Sequence, residues 1–359
     1  MKLAKTCIFC GRKPNNKTKE HVIPRWLIKL TGDPRRNVFL GYTKSLEDGL
    51  EERQYAFDQF TFPACDACNS KYAQLESDVK PIIIKLLSET SVLAEEISIL
   101  LDWLDKVRIG LWLGMLQLNK NDEHVDPNFH IDTRISQYDR LLIIEKSDGV
   151  RTKLNMGGID TFSFSITPSA FVLIINNYYF TNVSYMFLLS RRLGFPYPES
   201  MYIQPDDEKV EANFVKARER IMLPLLRKEI KEKGNVIYQP MFRGGLIDGD
   251  VTEYRSEYTR IHSMDDQNGI GNIFQVEMGK LKEYTRGDSL NVTPCHIHND
   301  QEQFIQSAIH VCEWQNWLVQ FLPKTDRLSR EQKKYVTSRF KAGVKMNEQL
   351  IRHHKSLLQ

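Results

Sequence analysis

Apolar positions along the chain change their period several times, and each change predicts an element. Over residues 92–118, Leu93, Ile97, Leu100, Leu101, Leu104, Val107, Leu111, Met115 and Leu118 recur at helical spacing, which predicts the clearest helix of the chain, with Trp103 and Trp112 as core or interface residues. Behind Cys68, Tyr72, Leu75 and Val79 share one helical face. Pro81 should break that helix or start a new one capped by Asp78. Residues 53–64 alternate weakly and read as strand, whereas Gly32, Asp33-Pro34, Gly41 and Asp48-Gly49 make 32–52 read as loop. Residues 139–200 read as β-rich. Within them 161–190 carry no charge and open on the alternation Phe162, Phe164, Ile166, which predicts buried strands and argues against a membrane span. Val210, Phe214, Ala217, Ile221 and Leu225 predict a long charged helix over 205–233, kinked at Pro224. Residues 236–298 read as mostly β and 300–320 as a helix. Ser329-Arg330-Glu331-Gln332 reads as a capping box that opens a last basic helix with Val336, Phe340, Val344 and Ile351 as its stripe.

These elements describe an α+β protein. Its 359 residues suggest about two domains, and 41% hydrophobic with 26% charged residues is ordinary globular composition. Met1–Thr6 runs straight into a cysteine pair and does not read as a secretory signal. The net charge of +3 hides a strong asymmetry. Residues 1–36 hold ten Lys/Arg against Glu20 and Asp33, and residues 324–359 hold ten against Asp326, Glu331 and Glu348, leaving an acidic middle. Basic ends around an acidic body point to a polyanion contact.

Four of the six cysteines form two Cys-x-x-Cys pairs, Cys7/Cys10 and Cys65/Cys68. Two such turns can converge four thiolates on one tetrahedral Zn²⁺, which fits a reducing cytoplasm better than disulfides do. Gly11 suits the tight turn after Cys10. Four protein ligands leave no position for water, so this zinc is structural and any chemistry comes from elsewhere. The run Lys19-Glu20-His21-Val22-Ile23-Pro24 and Asn69, directly after the last of the four cysteines, are the candidates. By contrast, Cys295-His296-Ile297-His298 with His310 and Cys312 read as packing.

The acidic-His-Val-Ile-Pro run between two cysteine pairs, with Asn after the second, resembles the HNH endonuclease family, in the version whose treble-clef, ββα-metal motif is braced by a four-cysteine zinc. The resemblance spans about residues 5–80. It implies a metal-dependent endonuclease that hydrolyses DNA phosphodiester bonds, from a family frequent in restriction and phage defence. His21 is then the general base, since a neutral imidazole can take a proton from water. Glu20 and Asn69 take the places of the ligands for Mg²⁺ or Mn²⁺, hard donors suited to such ions. Glu20 stands where Asp is more usual. The family's middle Asn has no counterpart; Asn37 lies too early, and Gln59 or Thr61 are the remaining positions. Lys19, Arg25 and Lys71 are candidate phosphate contacts, and Glu76 reads as a surface carboxylate.

The resulting organisation is an HNH domain over 1–84, a helical connector over 85–120, an α+β recognition or regulatory domain over 121–323 open to a protein or small-molecule regulator, and a basic C-terminal helix over 324–359. A zinc-braced nucleic-acid-binding protein without nuclease activity and an HNH-type ribonuclease are the alternatives.

Overall fold

The computed structural model describes residues 6–45, 49–57, 61–118, 125–149, 152–185, 190, 197–203, 210–215, 225, 235–242, 260–277, 280–296, 299–319 and 329–359. The chain is a mixed α+β protein. Its N-terminal part runs β1 (Thr18–His21), α1 (Arg25–Leu30), β2 (Asn37–Ser45), β3 (Gly49–Ala56), β4 (Thr61–Ala64) and α2 (Asp66–Leu87). A short β5 (Val92–Leu93) leads into α3 (Ala94–Leu118), followed by α4 (Ile131–Arg134). Then come β6 (Asp139–Lys146), β7 (Leu154–Gly157), α5 (Phe162–Ile166), β8 (Ala170–Ile175), β9 (Tyr178–Tyr185), β10 (Tyr197–Ile203), β11 (Val210–Val215) and β12 (Val236–Gln239). The described elements close with β13 (Ser263–Asp265), β14 (Ile270–Gly271), β15 (Ile273–Glu277), β16 (Lys280–Tyr284), β17 (Ser289–Leu290), β18 (Cys295–His296), α6 (Asp300–Val319) and α7 (Arg330–Ser356).

The centre is an eight-stranded sheet in the order β16-β15-β12-β6-β9-β8-β7, antiparallel along that path, with β18 adding a parallel pair to β6. Its inner strands β6, β9, β8 and β12 are buried on both faces, and β8 reads as an unbroken apolar run, whereas β16 at the edge is partly exposed. Leu142, Ile144, Leu173, Phe180 and Ile237 join one apolar cluster with α3, while Leu141, Ile143, Val172, Tyr179 and Tyr238 join another with Trp314 and Leu318 of α6. The first cluster runs on through α3 to Phe9, Val22 and Phe62 near the N-terminus. Helix α3 is therefore buried almost all round, between the N-terminal elements and the sheet. Gly110 and Gly114, one turn apart, let it approach β1 and β4 closely. A Cβ at Gly110 would lie 2.8 Å from Val22, and one at Gly114 would lie 2.5 Å from the Phe62 ring.

Several expectations change. Residues 32–52 are not a loop: β2 and β3 form a hairpin that reaches from Asn37↔Ala56 to Ser45↔Gly49. Of the turn signals, Gly32 and Asp33-Pro34 precede β2, Gly41 lies within β2 where the register shifts between Phe39 and Tyr42, and Gly49 opens β3. Pro81 neither breaks nor restarts a helix but lies inside α2, and Asp78 caps nothing; Val79, Ile82, Ile83 and Leu86 bury the face that carries the helix through. Phe162–Ile166 is a helical turn capped by the Thr161 hydroxyl, which accepts from the Phe164 N–H; strands begin only at Ala170. Val210–Val215 is a strand paired with β10, not part of a helix; Val210, Ala212 and Phe214 fit a period of two as well as one of four, and the pairing decides. The rest of 205–233, Leu225 apart, lies outside the described residues. No described helix is long and apolar enough to cross a membrane.

Ser329 caps α7 as a reciprocal box with Gln332. The helix rests on α5 and α6 through buried Gly343 and Asn347, whose amide donates to Gln315 at 3.1 Å. At 100° per residue, Arg330, Lys334, Lys341, Lys345, Arg352 and Lys355 fall within a sector of about 80° on the other side, over about 37 Å. All six are exposed.

Gly114→Val should push the Phe62 ring out of its seat and cost about 1–3 kcal/mol through overpacking, read as a lower denaturant midpoint. An unchanged midpoint would mean that α3 and β4 are not in contact.

Candidate metal centre and its surroundings

Cys7 and Cys10 lie in a turn closed by the Gly11 N–H donating to the Cys7 carbonyl at 2.9 Å, with Gly11 at φ +72°. Only a residue without Cβ fits there, because a Cβ would meet the His130 ring at 2.5 Å. Cys65 precedes the first turn of α2 and Cys68 lies within it. The Ile8 N–H donates to the Pro63 carbonyl, and the Phe9 ring stacks on Tyr72 at 4.4 Å, so the first turn is fixed to both β4 and α2. The four sulfurs lie within 4.8 Å of one another, and Cys10 Sγ is 3.9 Å from Cys65 Sγ. A tetrahedral zinc with Zn–S near 2.3 Å requires S···S of about 3.8 Å. The cluster can thus hold a metal ion such as zinc.

The electrostatics asks for one. Burial, together with the neighbouring Cys10 and Cys7, pushes the Cys68 thiol up to about 12. Burial also raises Cys10, but hydrogen bonds to the backbone and side chain of Arg12 outweigh it and hold this thiol down at about 7. Four thiolates crowded together repel one another, and a divalent cation removes that penalty. Beside them a cleft of about 490 Å³ is lined by Arg12, Lys13, Asn15, Asn16, Cys65, Asp66, Ala67 and Cys68. Two cationic side chains and the start of a 22-residue helix make it suited to an anion.

Strand β1 pairs antiparallel with β4, Thr18 opposite Ala64 and His21 opposite Thr61. Alternation along β1 places Thr18 and Glu20 on one face, Lys19 and His21 on the other. On the first face the Asn69 amide donates to Thr18 Oγ1 at 3.3 Å. Glu20 is buried, with one oxygen 2.6 Å from Lys106 Nζ of α3. Burial raises its pKa, and the Lys106 charge opposes that rise. His21, half-buried, lies at the end of β1. The structure thus brings Asn69 and Glu20 to one face of the strand and sends His21 to the other.

Much of the Glu-His-Val-Ile-Pro-Arg-Trp-Leu run serves packing. Val22, Ile23 and Leu27 are buried, Pro24 leads into α1, and Trp26 approaches Trp103 of α3 at 6.5 Å. Lys19 and Arg25 are exposed. Lys71 pairs with Asp132 at 2.5 Å, and the Tyr72 hydroxyl donates to the same carboxylate. Asn37 bonds Gln54 in the hairpin, Gln59 lies outside the described residues, and Thr61 faces His21 across the strand pair. Of the weaker candidates, Cys312 is buried in α6 and the side chains of Cys295, His296 and His298 lie outside the described residues.

Lys106 was not legible as a site residue. It is also bonded to Glu76, so Glu76 is no free surface carboxylate. The signal was a lysine followed two places later by an arginine in the middle of the most apolar helix. As a ligand for Mg²⁺ or Mn²⁺, Glu20 does not fit, because its carboxylate is already neutralised by a fully buried ammonium.

Cys68→Ser, or chelation of the zinc-loaded protein, should abolish one bound zinc per chain and expose Lys17 and Lys19 to trypsin, because such small sites fold with their metal. Loss of zinc without new cleavage would show that the sulfurs do not hold this region together.

Comparison of the chain with family models, with characterised proteins and with solved structures finds no match.

Proposed function

We propose that the protein is an HNH-type endonuclease that hydrolyses phosphodiester bonds of DNA. The observation that carries the reading is the composite N-terminal unit: an antiparallel strand pair followed by a helix, four convergent thiols at the junction, His21 at the strand end and Asn69 in the first turn of the helix. The strand pair, the helix and the thiol cluster support the reading; the opposite faces of β1 taken by His21 and Asn69 do not. Zinc, bound by Cys7, Cys10, Cys65 and Cys68, holds the strand pair against α2 and supplies no open position for substrate.

In this reading His21 takes the proton of the attacking water. The start of α2, with Arg12 and Lys13 at the cleft, holds backbone phosphate. Asn69 bonds Thr18 on the face of β1 opposite to His21, so it fixes the strand against α2 rather than touching the phosphate. Lys19 and Arg25 add exposed cations on the same unit. The resemblance also implies Mg²⁺ or Mn²⁺, which would stabilise the charge on the phosphate. Since Glu20 does not fit as its ligand, no step is assigned to such an ion here.

The basic face of α7 supports a duplex partner. Its cations lie in a straight exposed row about as long as one turn of B-DNA, while Val336, Phe340, Val344 and Ile351 are half-buried. The large sheet would then recognise or restrain. A second reading, a zinc-braced DNA-binding protein without cleavage, is favoured by the Glu20–Lys106 pair and by the opposite faces of β1 taken by His21 and Asn69.

Plasmid nicking in Mg²⁺ or Mn²⁺ separates the two. His21→Ala should lower the rate about a hundredfold or more while DNA binding persists. Equal rates in both proteins, or none in either, leave only the binding reading. Offering RNA beside DNA tests the ribonuclease variant.

In the same preparation, Lys334→Gln with Lys341→Gln and Lys345→Gln should flatten the dependence of log affinity on log salt by about three units. An unaltered slope would remove α7 from the DNA contact.

A further inference from the structure

Three elements meet at one ammonium group. Lys106 belongs to the middle of α3, and its side chain is 1% exposed. Its Nζ lies 2.6 Å from Glu20 Oε1 of β1 and also bonds Glu76 Oε1 of α2, two turns beyond Asn69. The Phe9 ring, from the first cysteine turn, presents its face at 5.8 Å. An ammonium has three donors and no acceptor. Two carboxylates and one aromatic face surround it, and all three come from the zinc-braced unit. The cleft between β1 and α2 therefore already contains a cation, supplied by the chain itself.

A divalent ion between the same carboxylates would have to displace a buried ammonium or share the space with it. Like charges within a few ångströms in a poorly hydrated site repel strongly. Withdrawing Lys106 is no simple rotation either, because it sits in a helix enclosed on all sides.

We propose that Lys106 is the resident cation of this cleft: its ammonium takes the place a divalent ion would hold between Glu20 and Glu76, and Glu20 anchors the zinc-braced unit to α3 instead of binding metal. Glu20 is then a positioning residue for the neighbouring His21. The assignment does not depend on whether the protein cuts nucleic acid.

Manganese binding by the zinc-loaded full-length protein tests it, followed by the electron paramagnetic resonance signal of free Mn²⁺. The wild type should show no Mn²⁺ site that Glu20→Gln removes. Lys106→Ala, accepted only if it retains one zinc and the wild-type helix content, should gain one Mn²⁺ per chain, at least tenfold tighter than any wild-type binding. Glu20→Gln in that background should abolish the gain. Lys106→Gln, closer in volume, serves where the alanine variant loses zinc. A stoichiometric Mn²⁺ in the wild type that Glu20→Gln abolishes overturns the proposal, and so does a folded, zinc-loaded Lys106 variant that gains none. Should neither variant keep its zinc, the wild type against Glu20→Gln decides by itself. Nicking activity, lost or kept, does not enter these outcomes.

Discussion

Helix α3 carries charge into the interior, and the rest of the structure is arranged around that constraint. Asp105, Lys106 and Arg108 follow one another almost without exposure. An unpaired charge in such a place costs several kcal/mol, so each must find a partner from another element. Toward the sheet, Arg108 bonds Asp105 and Asn182, while Arg140 of β6 bonds Asp102 and Gln239. Toward the N-terminus, Lys106 bonds Glu20 and Glu76. Removing one member of such a pair costs about 3–5 kcal/mol, most of it the penalty on the charge left behind. Apolar burial would tolerate some sliding of α3; these pairs fix its register against both neighbours.

The four-cysteine cluster, which can hold a metal ion, solves a different problem. Apart from the β2–β3 hairpin, the described residues of 6–87 form a four-residue strand pair, one short helix and one long helix around their cysteines, too little to bury a core of their own. Four sulfurs replace that core locally. They also tolerate the long excursion between the two pairs. Loop-closure entropy rises only slowly with length, so the β2–β3 hairpin can be carried as an insertion without loosening the junction. Its ends are held by Arg36, whose guanidinium donates to the Ile28 carbonyl and stacks over Phe57.

What the sequence made legible was local. The paired cysteines, the capping box at Ser329 and the period of α3 are written within a few turns of chain. What stayed hidden depends on pairing with distant residues. Val210–Val215 has a pattern compatible with helix or strand, and only its partner strand decides. Phe162, Phe164 and Ile166 alternate, yet the Thr161 cap and contact with α6 make them one helical turn. Pro81 lacks one N–H, which the tertiary burial of α2 outweighs. At the candidate site, the convergence of the four cysteines was readable; the placement of Asn69 on the face of β1 opposite to His21 was not, because it is set by a bond to Thr18. The capture of Glu20 was not, because its partner lies 86 residues away, in a helix whose apolar stripe drew attention from its charges.

This distribution of charge changes where the working unit ends. A fragment closed at residue 84 would keep the four sulfurs, His21 and Asn69, but it would leave Glu20 and Glu76 beside each other without the ammonium that separates them. Two carboxylates in one partly buried cleft repel, and one of them protonates or the cleft opens. Either way the end of β1, which carries His21, loses its fixed position. The apolar contacts say the same: Val22 and Phe62 have their seats at Gly110 and Gly114. The smallest piece that preserves the geometry around His21 therefore includes α3. Since α3 is itself registered by Arg140 and Asn182 of the sheet, the one helix ties the strand that carries the imidazole to the sheet through two separate sets of paired charges.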